Sequence, residues 1–190
     1  MIPTLISTST ITGNSANSIE ITSGIDNTYF HHMFVITGCS PANVHKYFYW
    51  QWGTSYNLGW SAAQLTNGQK DNGTTGQSQG GGRIWPASLG TTRDFPYQGS
   101  YHDSSAGVVQ SITHCYNWAG TVYSKRFRTS AKSFSAYDHR QEGVAHQAGY
   151  IQTQAAVTRV KWKWTDSHTT GNGNTGIDNM DIVVQLYGIE

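Results

Sequence analysis

The chain has 190 residues, 12% of them charged, with a net charge of +1. Such a length suits one domain, and near-neutrality leaves no global attraction for nucleic acid or anionic lipid. Leu occurs five times and Glu three times, too few strong helix formers for a helical protein, and no apolar run reaches the length of a membrane-crossing helix.

Strand signals run in chain order. Residues 4–12 are rich in β-branched side chains and end at a Gly13-Asn14 turn signal. Residues 18–22 alternate with period two, as a half-buried strand does. Residues 28–38 are aromatic and aliphatic, with Met33 and Val35 on one face and Phe34 and Ile36 on the other. Residues 46–52 place Phe48, Trp50 and Trp52 on one face and Tyr47, Tyr49 and Gln51 on the other. From about 54 to 105 the chain is loop-rich. Its segment 67–82 has no aliphatic side chain, which predicts a long functional or mobile loop. Strands resume over 107–118 and 121–128 around an Ala119-Gly120 turn, which is a hairpin signal. Further strands are expected over 143–152, 157–164 and 181–187, with an Asn/Gly loop over 165–179. The stretch 141–148 is a rival helix, short and interrupted by Gly143.

Ser, Thr, Asn, Gln and Gly supply 85 residues and aromatics 24. Balanced charge and an aromatic-filled core exclude disorder. The expectation is an all-β, single-domain, jelly-roll-like β sandwich over residues 1–190, with long Gly/Asn-rich loops and a loop-rich insertion at about 54–105. Phe34, Trp50, Trp52, Trp162 and Trp164 are expected in the core. Two cysteines, Cys39 and Cys115, are too few for a disulfide framework and read as buried thiols. The first six residues carry neither a basic region nor a long apolar stretch, so no export signal is expected.

Catalytic chemistry has no local signature here. His102-Asp103 and Asp138-His139 are adjacent pairs, and neighbours on a strand face opposite ways. No Gly-x-Ser-x-Gly elbow is present, and no spacing proposes a carboxylate pair. His31-His32 and His114-Cys115 are likewise split by alternation, so no metal or other cofactor is expected. Gly80-Gly81-Gly82-Arg83 lacks the ending of a phosphate loop. The expected protein is not an enzyme.

The clearest charge pattern is Arg159, Lys161 and Lys163, which share one strand face opposite Val160, Trp162 and Trp164. It is either a solvated face or a contact for an acidic partner. Lys125, Arg126 and Arg128 form a second basic cluster. The aromatics lie opposite the stripe, so it is no base-stacking platform and no nucleic-acid partner is expected. Trp60 and Trp85 flank the polar loop and are candidate partner contacts, since interfaces are enriched in Trp.

The opening Met1-Ile-Pro-Thr-Leu-Ile-Ser, the stretches Ile19-Glu-Ile-Thr-Ser-Gly-Ile-Asp-Asn-Thr-Tyr29 and Met33-Phe-Val-Ile-Thr-Gly-Cys-Ser-Pro-Ala-Asn43, and the ending Val183-Val-Gln-Leu-Tyr-Gly-Ile189 resemble small β-rich virion structural proteins of aquatic tailed bacteriophages. The resemblance covers roughly half of the chain, mostly its two ends, and carries no catalytic residues. It implies a non-enzymatic virion component assembled in the host cytoplasm. A capsid decoration (cement) protein bound to the major capsid protein, as a homotrimer, is the expectation. A tail fibre or tip receptor-binding protein and a carbohydrate-binding module are the alternatives. Short length, absence of a repeat and strand-like sequence from residue 4 favour decoration over a fibre.

Overall fold

A computed structural model describes residues 2–43, 47–52, 62–71, 77–84, 93–94, 108–134, 142–151, 154–165 and 179–190. Among them are twelve strands and no helix: β1 (Thr4–Ala16), β2 (Ser18–Ile21), β3 (His31–Pro41), β4 (Tyr47–Trp52), β5 (Ala62–Asp71), β6 (Gln77–Ile84), β7 (Arg93–Asp94), β8 (Val108–Tyr116), β9 (Lys125–Phe134), β10 (Glu142–Ile151), β11 (Val160–Thr165) and β12 (Met180–Ile189). They form an eight-stranded sheet, β1-β12-β3-β8-β9-β10-β5-β6, and a four-stranded sheet, β2-β11-β4-β7. Every pairing is antiparallel. The two sheets pack face to face, and the chain is an all-β sandwich.

Alternation decides which side chains are enclosed. Phe34 and Ile36 of β3, Ile182, Val184 and Leu186 of β12, and Cys115 of β8 point inward from the large sheet. They meet Ile19 and Ile21 of β2, Phe48, Trp50 and Trp52 of β4, and Val160, Trp162 and Trp164 of β11. Edge-to-face pairs lock the layers together: Phe34 meets Trp162 at 5.2 Å between ring centres, and Trp50 meets Phe127 at 5.2 Å. All five aromatics expected in the core are buried there. Cys39 and Cys115 are buried free thiols, and burial raises the pKa of both.

Two local expectations change, at Gly13-Asn14 and over 67–82. The Gly13-Asn14 turn is a bulge: both residues take left-handed backbone (φ 66° and 51°), the register with β12 jumps between Ile11 and Ala16, and β1 continues. The extra residues are accommodated without ending the strand. The strand expected from residue 143 onward is present as β10 (Glu142–Ile151), paired along β9, so the rival helix does not form over 142–148. Much of the 67–82 loop is instead the β5–β6 hairpin, in register from Ala62↔Ile84 to Gln69↔Gln77. Ladder bonds come from the backbone, so Gly, Gln and Thr can pair without supplying core side chains.

The two hairpins β5–β6 and β9–β10 lie side by side, since β5 pairs β10 at Val144↔Gln69. They carry the large sheet past β8, so its outer face is wider than the small sheet behind it.

Candidate functional site

Outward positions of the large sheet are not covered by the second sheet, which packs on the opposite side. Along β3 these are His31, Met33 and Val35, each half-buried between neighbours; along β8 they are Gln110, Ile112, His114 and Tyr116. Register aligns them in rows: Ile189, His31, Tyr116, Arg126; then Leu5, Tyr187, Met33, His114, Arg128; then Gln185, Val35, Ile112, Ser130. The face is therefore mostly apolar around Leu5, Tyr187, Met33, Val35 and Ile112, and its cations Arg126 and Arg128 stand on β9 beside the rings of His114 and Tyr116. Leu5 is 51% exposed and Ile112 44%. The two-sided apolar character of β3 thus has a double outcome, with Phe34 and Ile36 in the core and Met33 and Val35 on this outer plane.

A cluster of rings sits where the apolar and basic parts meet. His31 Nε2 lies 2.9 Å from His114 Nδ1, a side-chain hydrogen bond between neighbouring strands. The His31 ring also packs on Tyr116 at 4.5 Å between ring centres. Burial lowers the pKa of His31, with His114 and His32 adding to the effect. Burial lowers that of His114 as well, helped by Arg128. An N–H···N bond requires the accepting ring to be neutral, and burial favours the neutral form of both rings. Sequence neighbours do face opposite ways, as expected, but β pairing brings together two histidines 83 positions apart. Only the strand register between 28–38 and 107–118 could have revealed that pair.

Below the cluster His32 is fully buried, and among the described residues neither ring nitrogen makes a hydrogen bond of good geometry. Burial lowers its pKa, against the Asp26 carboxylate and the Gly24 backbone, which favour the cation. Three histidines with depressed pKa values link stability to pH. Their unfolded forms take up protons near pH 6.5, before the folded forms do. Stability is full above about pH 6.5 and falls as pH drops through the depressed folded values. Urea midpoints are expected to be level from pH 8 to 7 and to decline steadily from pH 6.5 to 5. A midpoint unchanged from pH 8 to 5 would contradict that linkage.

At the end of the sandwich beside this cluster, the 117–124 loop joins β8 to β9. Asn117 takes left-handed backbone (φ 56°). Its backbone N–H donates to the Phe30 carbonyl at 2.8 Å, and its side-chain amide donates to the Tyr123 carbonyl at 3.1 Å. A Cβ at Gly120 would overlap the Asn117 side-chain oxygen, so the tight turn needs glycine there. The loop holds Phe30, Val122 and Tyr123 outward, 66%, 63% and 71% exposed. Lys125, read from sequence as part of a basic surface cluster, points inward. Its ammonium donates to the carbonyls of Gly120, Tyr123 and Gln154. Arg126 and Arg128 alone of that cluster are surface cations.

The other sequence candidates separate. Arg159 precedes β11 and is half-buried. Lys161 forms an ion pair with Glu20 of β2 at 2.6 Å. Lys163 is buried, 3% exposed, and burial followed by Lys161 lowers its pKa. The alternation is as expected, with Val160, Trp162 and Trp164 inward, but the three cations do not form one open stripe. Burial withdraws Lys163 from the surface. Trp60 and Trp85 lie outside the described residues. Among the described residues, no three of His, Cys, Asp and Glu come together as a metal site, and no helix is long and apolar enough to cross a membrane. Comparison with known proteins gave no matching family model, no matching curated protein and no matching solved structure.

Proposed function

We propose that this chain is a non-enzymatic structural protein of a bacteriophage virion that decorates the outer capsid shell. The observation that carries the reading is the strand order. Setting aside the β5–β6 and β9–β10 hairpins leaves β1-β12-β3-β8 against β2-β11-β4-β7. Numbered along the chain, those eight strands run 1-8-3-6 against 2-7-4-5. That order supports a reading as two interlocked Greek keys, the jelly roll of viral capsid and lectin domains. The fold alone does not assign a function. The open outer face of the large sheet adds an assembly surface, with Met33, Val35, Leu5 and Tyr187 as a plane for a second copy. A homotrimer on a shell three-fold, bound to the major capsid protein, fits both features and the phage resemblance.

A tail-tip or sugar-binding role is the second reading, favoured by the exposed Phe30 and Tyr123 on the fixed end loop. Aromatic rings on such loops suit the apolar faces of sugars.

Co-sedimentation with shells of the major capsid protein, together with light scattering, separates the two. The expected result is a trimer that pellets with shells and ignores host polysaccharide. A monomer that binds polysaccharide and stays in the supernatant beside shells would overturn the decoration reading in favour of the second.

A further inference from the structure

We propose that the basic part of the outer face, Arg126 and Arg128 beside the His31–His114–Tyr116 ring cluster, docks a carboxylate-rich surface of another protein. The proposal rests on the shell-binding reading and names the chemistry of the partner.

Strand pairing builds the patch. Tyr116 stands opposite Arg126 and His114 opposite Arg128, while His31 stands opposite Tyr116 and Met33 opposite His114. With strands about 4.8 Å apart and alternate residues about 6.8 Å apart, two guanidinium groups and two imidazoles share an area roughly 10 Å across. Both arginines are exposed, and neither forms an ion pair with a described residue. Two like charges two positions apart on one face repel each other until an anion lies between them. Guanidinium forks match carboxylates in bidentate geometry, and the neutral imidazoles add hydrogen-bonding groups without adding repulsion.

The surroundings select the class of partner. The patch lies on a broad sheet face and passes directly into Ile112, Val35, Met33 and Tyr187. Arginine beside apolar and aromatic groups on such a plane is the composition of a protein interface. A sugar is better held in a concave pocket, and a nucleic acid needs a longer track of cations. Of the carboxylates on a second copy of this chain, three already have partners. Glu20 is bound to Lys161, Asp26 accepts from the Thr28 N–H, and Asp181 accepts from the Asn14 N–H.

The test uses the full chain, with poly-L-glutamate as an acidic polypeptide and alginate as a polyuronate. The variants are Arg126→Ser/Arg128→Ser, its charge-keeping counterpart Arg126→Lys/Arg128→Lys, and a charge-matched control, Arg159→Ser/Lys161→Ser. Circular dichroism confirms folding of each. Loss of two charge-assisted contacts is expected to weaken poly-L-glutamate binding at least about tenfold. The lysine pair should retain part of the affinity and the control nearly all of it. Equal loss in the control, tighter binding of alginate at the same patch, or loss of self-association in the serine pair would each overturn the proposal. Shell binding supplies the separation from the decoration reading. Shells bound equally well by the serine pair sink the docking surface alone. Poly-L-glutamate binding by a protein that ignores shells sinks the decoration reading alone.

Discussion

Trp118→Ala is expected to remove most of the stability of the folded chain. Trp118 follows β8, yet its indole is fully buried between the sheets. It stacks on Trp50 at 5.7 Å between ring centres, lies 6.3 Å from Trp52 and 6.0 Å from Phe34. Its indole N–H donates to the Arg126 carbonyl at 3.1 Å, and its own carbonyl accepts from the Val157 N–H at 2.8 Å. The side chain thus fills the space between the sheets and fixes the start of β9. Truncating a buried Trp to Ala costs about 3–5 kcal/mol, through lost transfer free energy and a cavity that rigid neighbours do not close. Domains are stable by about 5–15 kcal/mol in total, so from the lower end of that range the variant keeps only a small remainder. Neighbouring Trp rings cannot collapse into the space without leaving their own partners. Trp118→Phe keeps ring area but loses the N–H, and about 1–2 kcal/mol of loss is expected. Urea unfolding followed by circular dichroism gives both values. A Trp118→Ala midpoint equal to wild type would mean that this ring does not join the sheets.

Composition and alternation exposed the core, because burial on one face of a strand leaves a mark every second residue. Phe48, Trp50 and Trp52, then Val160, Trp162 and Trp164, are legible from period two alone. Trp118 is not, since it sits past a strand end where no period applies. The β5–β6 hairpin left no mark because its pairing uses backbone groups, to which Gly, Gln and Ser are indifferent. The candidate surface was half legible. Arg126 and Arg128 stood out as charges, and Met33 and Val35 as an apolar face with no assigned cover. Their meeting with His31 and His114 depends on register between strands distant in sequence, which no local pattern encodes. Lys125 and Lys163 show the reverse error. Charge in a sequence reads as surface, but Lys125 is held inside by backbone carbonyls and Lys163 is buried.

Lys125→Met is expected to destabilise the chain by about 2–4 kcal/mol and to release the 117–124 loop. Lys125 opens β9 with its side chain turned inward and fully buried. Burial lowers its pKa, and its N–H groups donate to the Tyr123 and Gln154 carbonyls at 3.2 Å and to the Gly120 carbonyl. Those acceptors come from two separate stretches of chain, so one ammonium ties the end loop to the segment ahead of β11. Methionine keeps most of the volume and the apolar stem. What it lacks is the donor: Tyr123 keeps the Asn117 amide, while the Gly120 and Gln154 carbonyls lose theirs, at about 1–3 kcal/mol each unless water reaches them. The lower end of the expected range corresponds to water entry. Hydrogen exchange distinguishes this from a general loss of packing. Amides in 117–124, which carry Val122 and Tyr123 outward, should exchange faster in the variant, while those of β3 and β12 stay protected in proportion to the global change alone. Unchanged exchange in the loop together with wild-type stability would show that Asn117 and Gly120 shape the turn by themselves. Faster exchange confined to the loop would identify Lys125 as the tie that holds the exposed aromatic end of the sandwich in place.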